Sequence, residues 1–212
     1  MSYFEKLTPL DFKGNVFFGS DFHFNHANIT GPTVSKWKDG FRNFESIEQM
    51  NEKILFNINN KVKSEDILVF HGDFCFGGHK LTPDWRAAIN CSTIYWITGN
   101  HDTNAYLYRR YFQDICSYME FSVWGQDITS FHYPILSWNG IGKGMWNLHG
   151  HVHAHPNIQR LNRETKRLDV GVDSYFDIFG DYNVFSFQEV KEIMDAKPIK
   201  IVDGHGANTN VK

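Results

Sequence analysis

Two periods of apolar residues alternate along the first half of the chain. Residues 15–19 (Asn-Val-Phe-Phe-Gly), 67–70 (Ile-Leu-Val-Phe) and 93–97 (Thr-Ile-Tyr-Trp-Ile) are short, continuous, β-branched and aromatic runs, the pattern of strands buried on both faces. Between the first two, Ile47, Met50, Ile54, Leu55 and Ile58 follow helical spacing. Ser46 stands at the N-cap, with Gln49 three residues on as in a capping box. This helix is expected to end near Asn59-Asn60. Thr82-Pro83 opens a second helix over 83–89, with proline at a first-turn position, and a third is expected over 105–112. Strand, helix, strand, helix, strand, helix predicts an α/β fold with a mostly parallel sheet and right-handed crossovers.

The second half changes character. Residues 118–124 and 127–131 flank Gly125-Gln126, which predicts a two-residue hairpin turn. Residues 145–148 form another apolar run, and 158–161 and 167–172 are expected to pair around residues 162–165. Ser186-Phe187-Gln188-Glu189 is a further capping box, opening a last helix to about Met194. Residues 203–212 are polar and glycine-bearing and are expected to fray. With no internal repeat, low-complexity tract or linker, one domain over 1–212 is expected.

Every predicted strand runs into a polar cluster. The first ends in Ser20-Asp21-Phe22-His23, the second in His71-Gly72-Asp73, the third in Thr98-Gly99-Asn100-His101-Asp102. The strand over 127–131 ends in His132, and that over 145–148 leads to His149-Gly150-His151-Val152-His153. Strand ends in α/β sheets are where ligands collect. If the segment stays extended, Asp21 and His23 share one side and Phe22 takes the other. Gly99 is expected to let the chain turn sharply. The long connection over 24–44 is of a length that is uncommon without a function.

Composition narrows the chemistry. The chain has 212 residues, 42% hydrophobic and 16% aromatic, with a net charge of −3. A substantial core is affordable and disorder is not expected. There is no basic excess to hold a nucleic-acid backbone, so no stable nucleic-acid partner is expected. Three cysteines without a Cys-x-x-Cys pair suit a reducing, cytoplasmic setting. No leader and no membrane-spanning run is read. Two carboxylates, an amide oxygen and several imidazoles form a mixed N/O donor set without thiolate, which favours Mn, Fe or Zn. Seven donors are too many for one ion. They suit two ions sharing a carboxylate and a water-derived hydroxide, the arrangement that clamps an in-line displacement at phosphorus.

Asp-x-His (21–23), Gly-Asp (72–73), Gly-Asn-His-Asp (99–102), His132 and Gly-His-x-His (150–153), in that order, resemble the calcineurin-like metallophosphoesterases. The opening Ser20-Asp21-x-His23-x-x-His26-x-Asn28-Ile29 is similar to compact bacterial and phage-encoded members. The resemblance implies two facing mixed β-sheets flanked by helices in a four-layer α/β/β/α sandwich. It implies Asp21, His23 and His153 on one divalent ion, Asn100, His132 and His151 on the other, and Asp73 bridging them. Mn is favoured among Mn, Fe, Zn and Ni. Asn100 and His101 would contact a phosphate ester, and His101 would protonate the departing oxygen. The Asp-Arg-Gly element of the protein-phosphatase branch is missing after Gly72-Asp73, so phosphoprotein substrates are not expected and the residue that orients His101 is not evident. The expected activity is that of a phosphodiesterase on a small or nucleotide-like substrate. A phosphomonoesterase, a nuclease and a non-catalytic scaffold on the same fold are the alternatives.

Several residues carry two readings. His26 either binds phosphate or hydrogen-bonds within its loop. Arg42 either meets a substrate phosphate or is a solvated arginine, the plainer expectation. His71 and His149 are expected to be core neighbours of the ligands, and His79, His155 and His205 surface residues. Cys75 and most of Trp37, Trp85, Trp138 and Trp146 are expected to be packing.

Overall fold

The computed structural model describes residues 14–77 and 81–202, together with the backbone of 4–7. His79, His205 and the tail over 203–212 lie outside the described residues. In chain order the strands are β1 (Phe4–Leu7), β2 (Val16–Gly19), β3 (Ile67–Phe70), β4 (Thr93–Ile97), β5 (Asp114–Cys116), β6 (Tyr118–Val123), β7 (Gln126–Phe131), β8 (Trp146–His149), β9 (Arg167–Asp169) and β10 (Phe185–Ser186). The α-helices are α1 (Ala27–Thr30), α2 (Ile47–Lys61), α3 (Leu81–Ala88), α4 (Pro156–Asn162), α5 (Val172–Phe179) and α6 (Phe187–Asp195).

Two five-stranded sheets result, in the orders β10-β2-β3-β4-β5 and β1-β6-β7-β8-β9. In the first, β2 to β5 are parallel and β10 joins antiparallel at the edge. The second is also mixed, with β6 and β7 antiparallel and β7, β8 and β9 parallel. Side-chain alternation divides the first sheet between two cores. Phe17, Leu68, Phe70, Ile94 and Trp96 face Met50, Ile54 and Ile58 of α2. Val16, Phe18, Ile67, Val69, Tyr95 and Ile97 face the other way, onto Phe121, Ile128, Trp146, Leu148 and Leu168 of the second sheet. Burial of both faces is why these strands are continuous apolar runs rather than alternating ones. Each fully buried Phe, Leu or Ile contributes about 1.5–3 kcal/mol by removal from water. Trp138 and Trp146 are core residues, and Trp85 stacks on Phe24.

The caps act as their sequences suggest, with one variation. Ser186 and Glu189 close a full reciprocal capping box on α6. Ser46 Oγ accepts from Gln49 N at 3.1 Å, but the Gln49 side chain returns to Glu45 N rather than to Ser46.

Four expectations need correction. The hairpin turn is Trp124-Gly125, one residue earlier than expected, since Val123 pairs with Gln126 and both turn residues have positive φ. That is the two-residue turn that matches strand twist. The segment over 158–161 is not a strand. Pro156 starts α4 in the first turn and the His155 side chain caps Asn157 N, and Ile158 and Leu161, three positions apart, follow the helical period and not that of a strand. The expected helix over 105–112 is a 3-10 helix, Ala105–Tyr111. Finally, α5 was not anticipated; Gly171 precedes it and Gly180, at φ 79°, ends it.

Candidate metal centre

The polar clusters converge where the strands end. β2, β3 and β4 deliver Asp21 and His23, Asp73, and Asn100 with His101. The segments after β7 and β8 deliver His132, His151 and His153 from the facing sheet. Backbone bonds tie these segments together: Asp21 N donates to Gly72 O at 2.8 Å, His23 N to Asp73 O at 3.1 Å and Gly150 N to His132 O at 2.9 Å.

Distances define two overlapping groups. Asp21 Oδ1 is 3.7 Å from both His23 Nε2 and His153 Nε2. Asn100 Oδ1 is 3.0 Å from His132 Nε2 and 2.9 Å from His151 Nδ1. Asp73 Oδ2 reaches both groups, 3.6 Å from His23 Nε2 and 3.5 Å from His132 Nε2. The groups share an edge, because Asp21, Asp73 and His132 also offer donor atoms within 4.8 Å of one another. His101 stands beside them, with Nε2 3.9 Å from Asp73 Oδ2.

The residues fit divalent cations on a specific observation. His23 Nε2 is buried and makes no hydrogen bond. It lies too far from its carboxylate neighbours for one. A cation bonded at about 2.0–2.2 Å to nitrogen and oxygen would hold donors at such separations. Electrostatics agree. Burial pushes Asp73 up to about 7 and His23 down to about 3. Burial would also lower His153, but Asp21 and Asp173 carry it up to about 9. The poorly matched charge on Asp73 and the pull of Asp21 and Asp173 on His153 both mark a place that positive charge would relax.

Other side chains fix the rings. His132 Nδ1 faces His71 O at 2.7 Å, and a carbonyl only accepts, so the proton is on Nδ1 and Nε2 keeps its lone pair. His153 Nδ1 bonds Asp173 Oδ2 at 2.7 Å. Arg42 locks Asp173 in turn, with Nε to Oδ1 at 2.8 Å and a second nitrogen to Oδ2 at 2.9 Å. The same guanidinium donates to the carbonyls of Asp21 and Phe22. Arg42 is therefore neither solvated nor placed to meet a phosphate. It is 3% exposed and spends its donors on the backbone of the Asp21 turn. The partners of metal-binding histidines govern orientation and basicity in this way.

The backbone departs from the extended geometry expected at Asp21 and His23. Asp21, His23, Asp73, His151 and His153 all have positive φ, between 46° and 73°, a region costly for residues with a Cβ though Asp and His are enriched there. Phe22 does turn into the core. Gly99 serves a different purpose from the turn expected of it. Its φ is not positive, but a Cβ there would strike Asp73 Oδ1 and His132 Cε1.

Asp102 acts on its neighbour His101 through its charge, while its hydrogen bonds go to other groups. Its carboxylate accepts from Asp73 N, Phe74 N, Gly99 N and Trp96 Nε1 at 2.7–3.1 Å, stapling two ligand loops together. Asp169 does similar work behind His153, accepting from Ala154 N and Gly171 N. Asp173, Asp102 and Asp169 were not singled out as functional from the sequence. The signal available for Asp102 was its place in Gly-Asn-His-Asp; nothing local marked the other two. His71 and His149 are fully buried core neighbours, as expected, and Cys75 packs with Thr82. His155 is on the surface. Beside His101 lies a cavity of about 220 Å³, lined by Phe76, Trp96, Thr103, Asn104 and Tyr108 among others.

Comparison with known proteins agrees with the geometry. The profile of the calcineurin-like phosphoesterase family matches residues 15–211. An uncharacterized protein of the archaeon Methanocaldococcus jannaschii is 30% identical over 162 residues, covering 74% of this chain and 81% of its own. The crystal structure of a protein of unknown function from Aquifex aeolicus superposes with a TM-score of 0.59 at 20% identity, over 85% of this chain and 100% of that one; at that identity it speaks for the fold alone. No helix among the described residues is long and apolar enough to cross a membrane. The family acts on phosphate esters and generally binds divalent metals. A profile that spans nearly the whole sequence, on a fold that gathers the donor set, makes the chain a member of the calcineurin-like phosphoesterase family, metal-dependent hydrolases of phosphate esters.

Proposed function

We propose that the protein is a two-cation phosphodiesterase acting on a small or nucleotide-like ester, with residues 1–212 working as one domain in the cytoplasm. Asp21, His23 and His153 would hold one ion, Asn100, His132 and His151 the other, and Asp73 both. The observation that carries this reading is the Asp73 carboxylate, whose single Oδ2 atom lies 3.6 Å from His23 and 3.5 Å from His132. An N/O donor set without sulfur suits Mn, Fe or Zn, and Mn is the ion we favour. When bound, the ions supply Lewis acidity toward the phosphoryl oxygens and a lowered pKa for water.

The chain's own groups do the rest. Asn100 and His101 face the phosphoryl group from the exposed side of the cluster. His101, with its ring 43% exposed, can meet the leaving oxygen and give it a proton from Nε2, a step worth about 10²–10⁴-fold. Room for the departing alcohol is available in the cavity beside that ring.

The test is hydrolysis of bis-(p-nitrophenyl) phosphate against p-nitrophenyl phosphate by protein reconstituted with Mn²⁺, Zn²⁺, Fe²⁺ or Ni²⁺. Turnover of the diester first is expected. Preference for the monoester would make it a phosphomonoesterase, and no turnover with any ion would leave the scaffold alternative.

A further inference from the structure

His26 faces His23 with Nδ1 against Nδ1 at 3.2 Å. Two ring nitrogens at that distance need one donor and one acceptor, and a neutral imidazole has one of each. If His26 donated, the proton of His23 would have to sit on Nε2. That atom is buried, 3.7 Å from Asp21 and 3.6 Å from Asp73, with no hydrogen bond to make. The opposite arrangement leaves nothing buried and unmatched once a cation lies between those carboxylates. His23 carries its proton on Nδ1 and donates it to His26 Nδ1, and His23 Nε2 presents a lone pair.

We infer that His26 is the positioning residue that sets the tautomer of His23 and so prepares the first cation site. This rests on the assignment of His23 as a metal ligand made above. The surroundings of His26 are those of a fixed part. Its ring stacks on Phe76 with centroids 3.8 Å apart and planes at 10°, and Trp37 abuts it edge-on at 5.5 Å. Its backbone N donates to His23 O at 3.0 Å, and its carbonyl accepts from Thr30 Oγ1 at 2.9 Å. It occupies the N-cap of α1 yet makes no side-chain cap, which leaves Nδ1 to His23. The chain thus uses three different acceptors for three site histidines: a carbonyl for His132, a carboxylate for His153 and an imidazole for His23. Of these, only the imidazole can also be the donor, so the direction of this bond is set by what His23 must do.

The experiment compares wild type with His26→Phe, which keeps a ring on Phe76 but has no acceptor, and His26→Asn, whose amide oxygen takes about the place of Nδ1. Chelator-stripped proteins are titrated with Mn²⁺ alone by calorimetry, and the imidazole tautomer of His23 is read from ¹⁵N shifts in ¹⁵N-histidine protein. Expected are a protonated Nδ1 on His23 in wild type, loss of that state in His26→Phe with Mn²⁺ binding about 10–100-fold weaker at one site, and recovery of both in His26→Asn. Wild-type Mn²⁺ affinity in His26→Phe, or an Nε2-protonated His23 in wild type, overturns the inference. So does a raised KM with unchanged Mn²⁺ binding, which would make His26 a substrate contact. If wild type binds Mn²⁺ in this pattern yet hydrolyses no ester, the proposed activity falls and the role of His26 stands.

Discussion

The cluster has two halves that differ in their access to water. Asp21, His23, Asp73 and His132 are at most 2% exposed, whereas the His101 and His153 rings are 43% and 29% exposed and Asn100 is on the surface. The buried half is held by groups that never need to meet a substrate: the His71 carbonyl, the His26 ring and the Asp21 turn clamped by Arg42. The open half faces solvent. In low dielectric each mispaired charge is costly and each matched one strong, so the buried half is where order is made and the open half where it is used. Substitutions should therefore divide into those that dismantle the site and those that silence it.

The largest effect is expected at Asp73. Asp73→Asn should lose metal at both positions and all measurable turnover, read by elemental analysis after dialysis and by diester hydrolysis. Retention of two ions would mean that this carboxylate does not join the halves. His101→Ala should reduce turnover about 10²–10⁴-fold while metal content and melting temperature stay as in wild type; a drop in metal content would erase the contrast between the halves.

Arg42→Met tests the buried half for stability. It takes the guanidinium from Asp173, leaving it the His153 ring, and strips the Asp21 and Phe22 carbonyls of their donor, and losing one partner of a buried pair costs about 3–5 kcal/mol. For a domain of this size that is a fall in Tm of roughly 6–20 °C, measured on metal-free protein. A change below about 1 kcal/mol would show the pair to be dispensable.

The smallest effect lies outside the site and calibrates the others. Burial pushes the Glu189 carboxyl up, but bonds from Lys61 and Ser186 outweigh it and hold its pKa below the usual value. A folded-state pKa below the unfolded one means stabilisation that is present above the unfolded value, 4.5, and lost as the pH falls through the folded one. Glu189→Gln should thus be about 1 kcal/mol less stable at pH 7, with the gap closing in acid denaturation series below pH 4.5. A gap that does not change with pH would assign the loss to the cap of α6 instead.

The sequence disclosed which side chains converge better than what supports them. Residues 67–70 and 93–97 were legible as strands because both faces are buried, and their bounds agree with the structure. The convergence of Asp21, His23, Asp73, Asn100, His132, His151 and His153 was legible because a polar N/O group follows each of several apolar runs. Arg42 was not, since its partner Asp173 lies 131 positions away and nothing local distinguishes a buried arginine from a solvated one. The short helix over 156–162 was missed although Pro156 and the three-residue spacing of Ile158 and Leu161 both point to one, because two apolar residues in a four-residue segment are too few to fix a period. Backbone conformation at the donors was also hidden: Asp and His tolerate the left-handed region, but no residue type announces it.

That left-handed backbone at Asp21, His23, Asp73, His151 and His153 is a standing cost in stability. Each position costs roughly 1 kcal/mol or more, together a sizeable part of the roughly 5–15 kcal/mol by which domains are stable. A glycine at position 151 would shed that strain and with it one imidazole of the converging group.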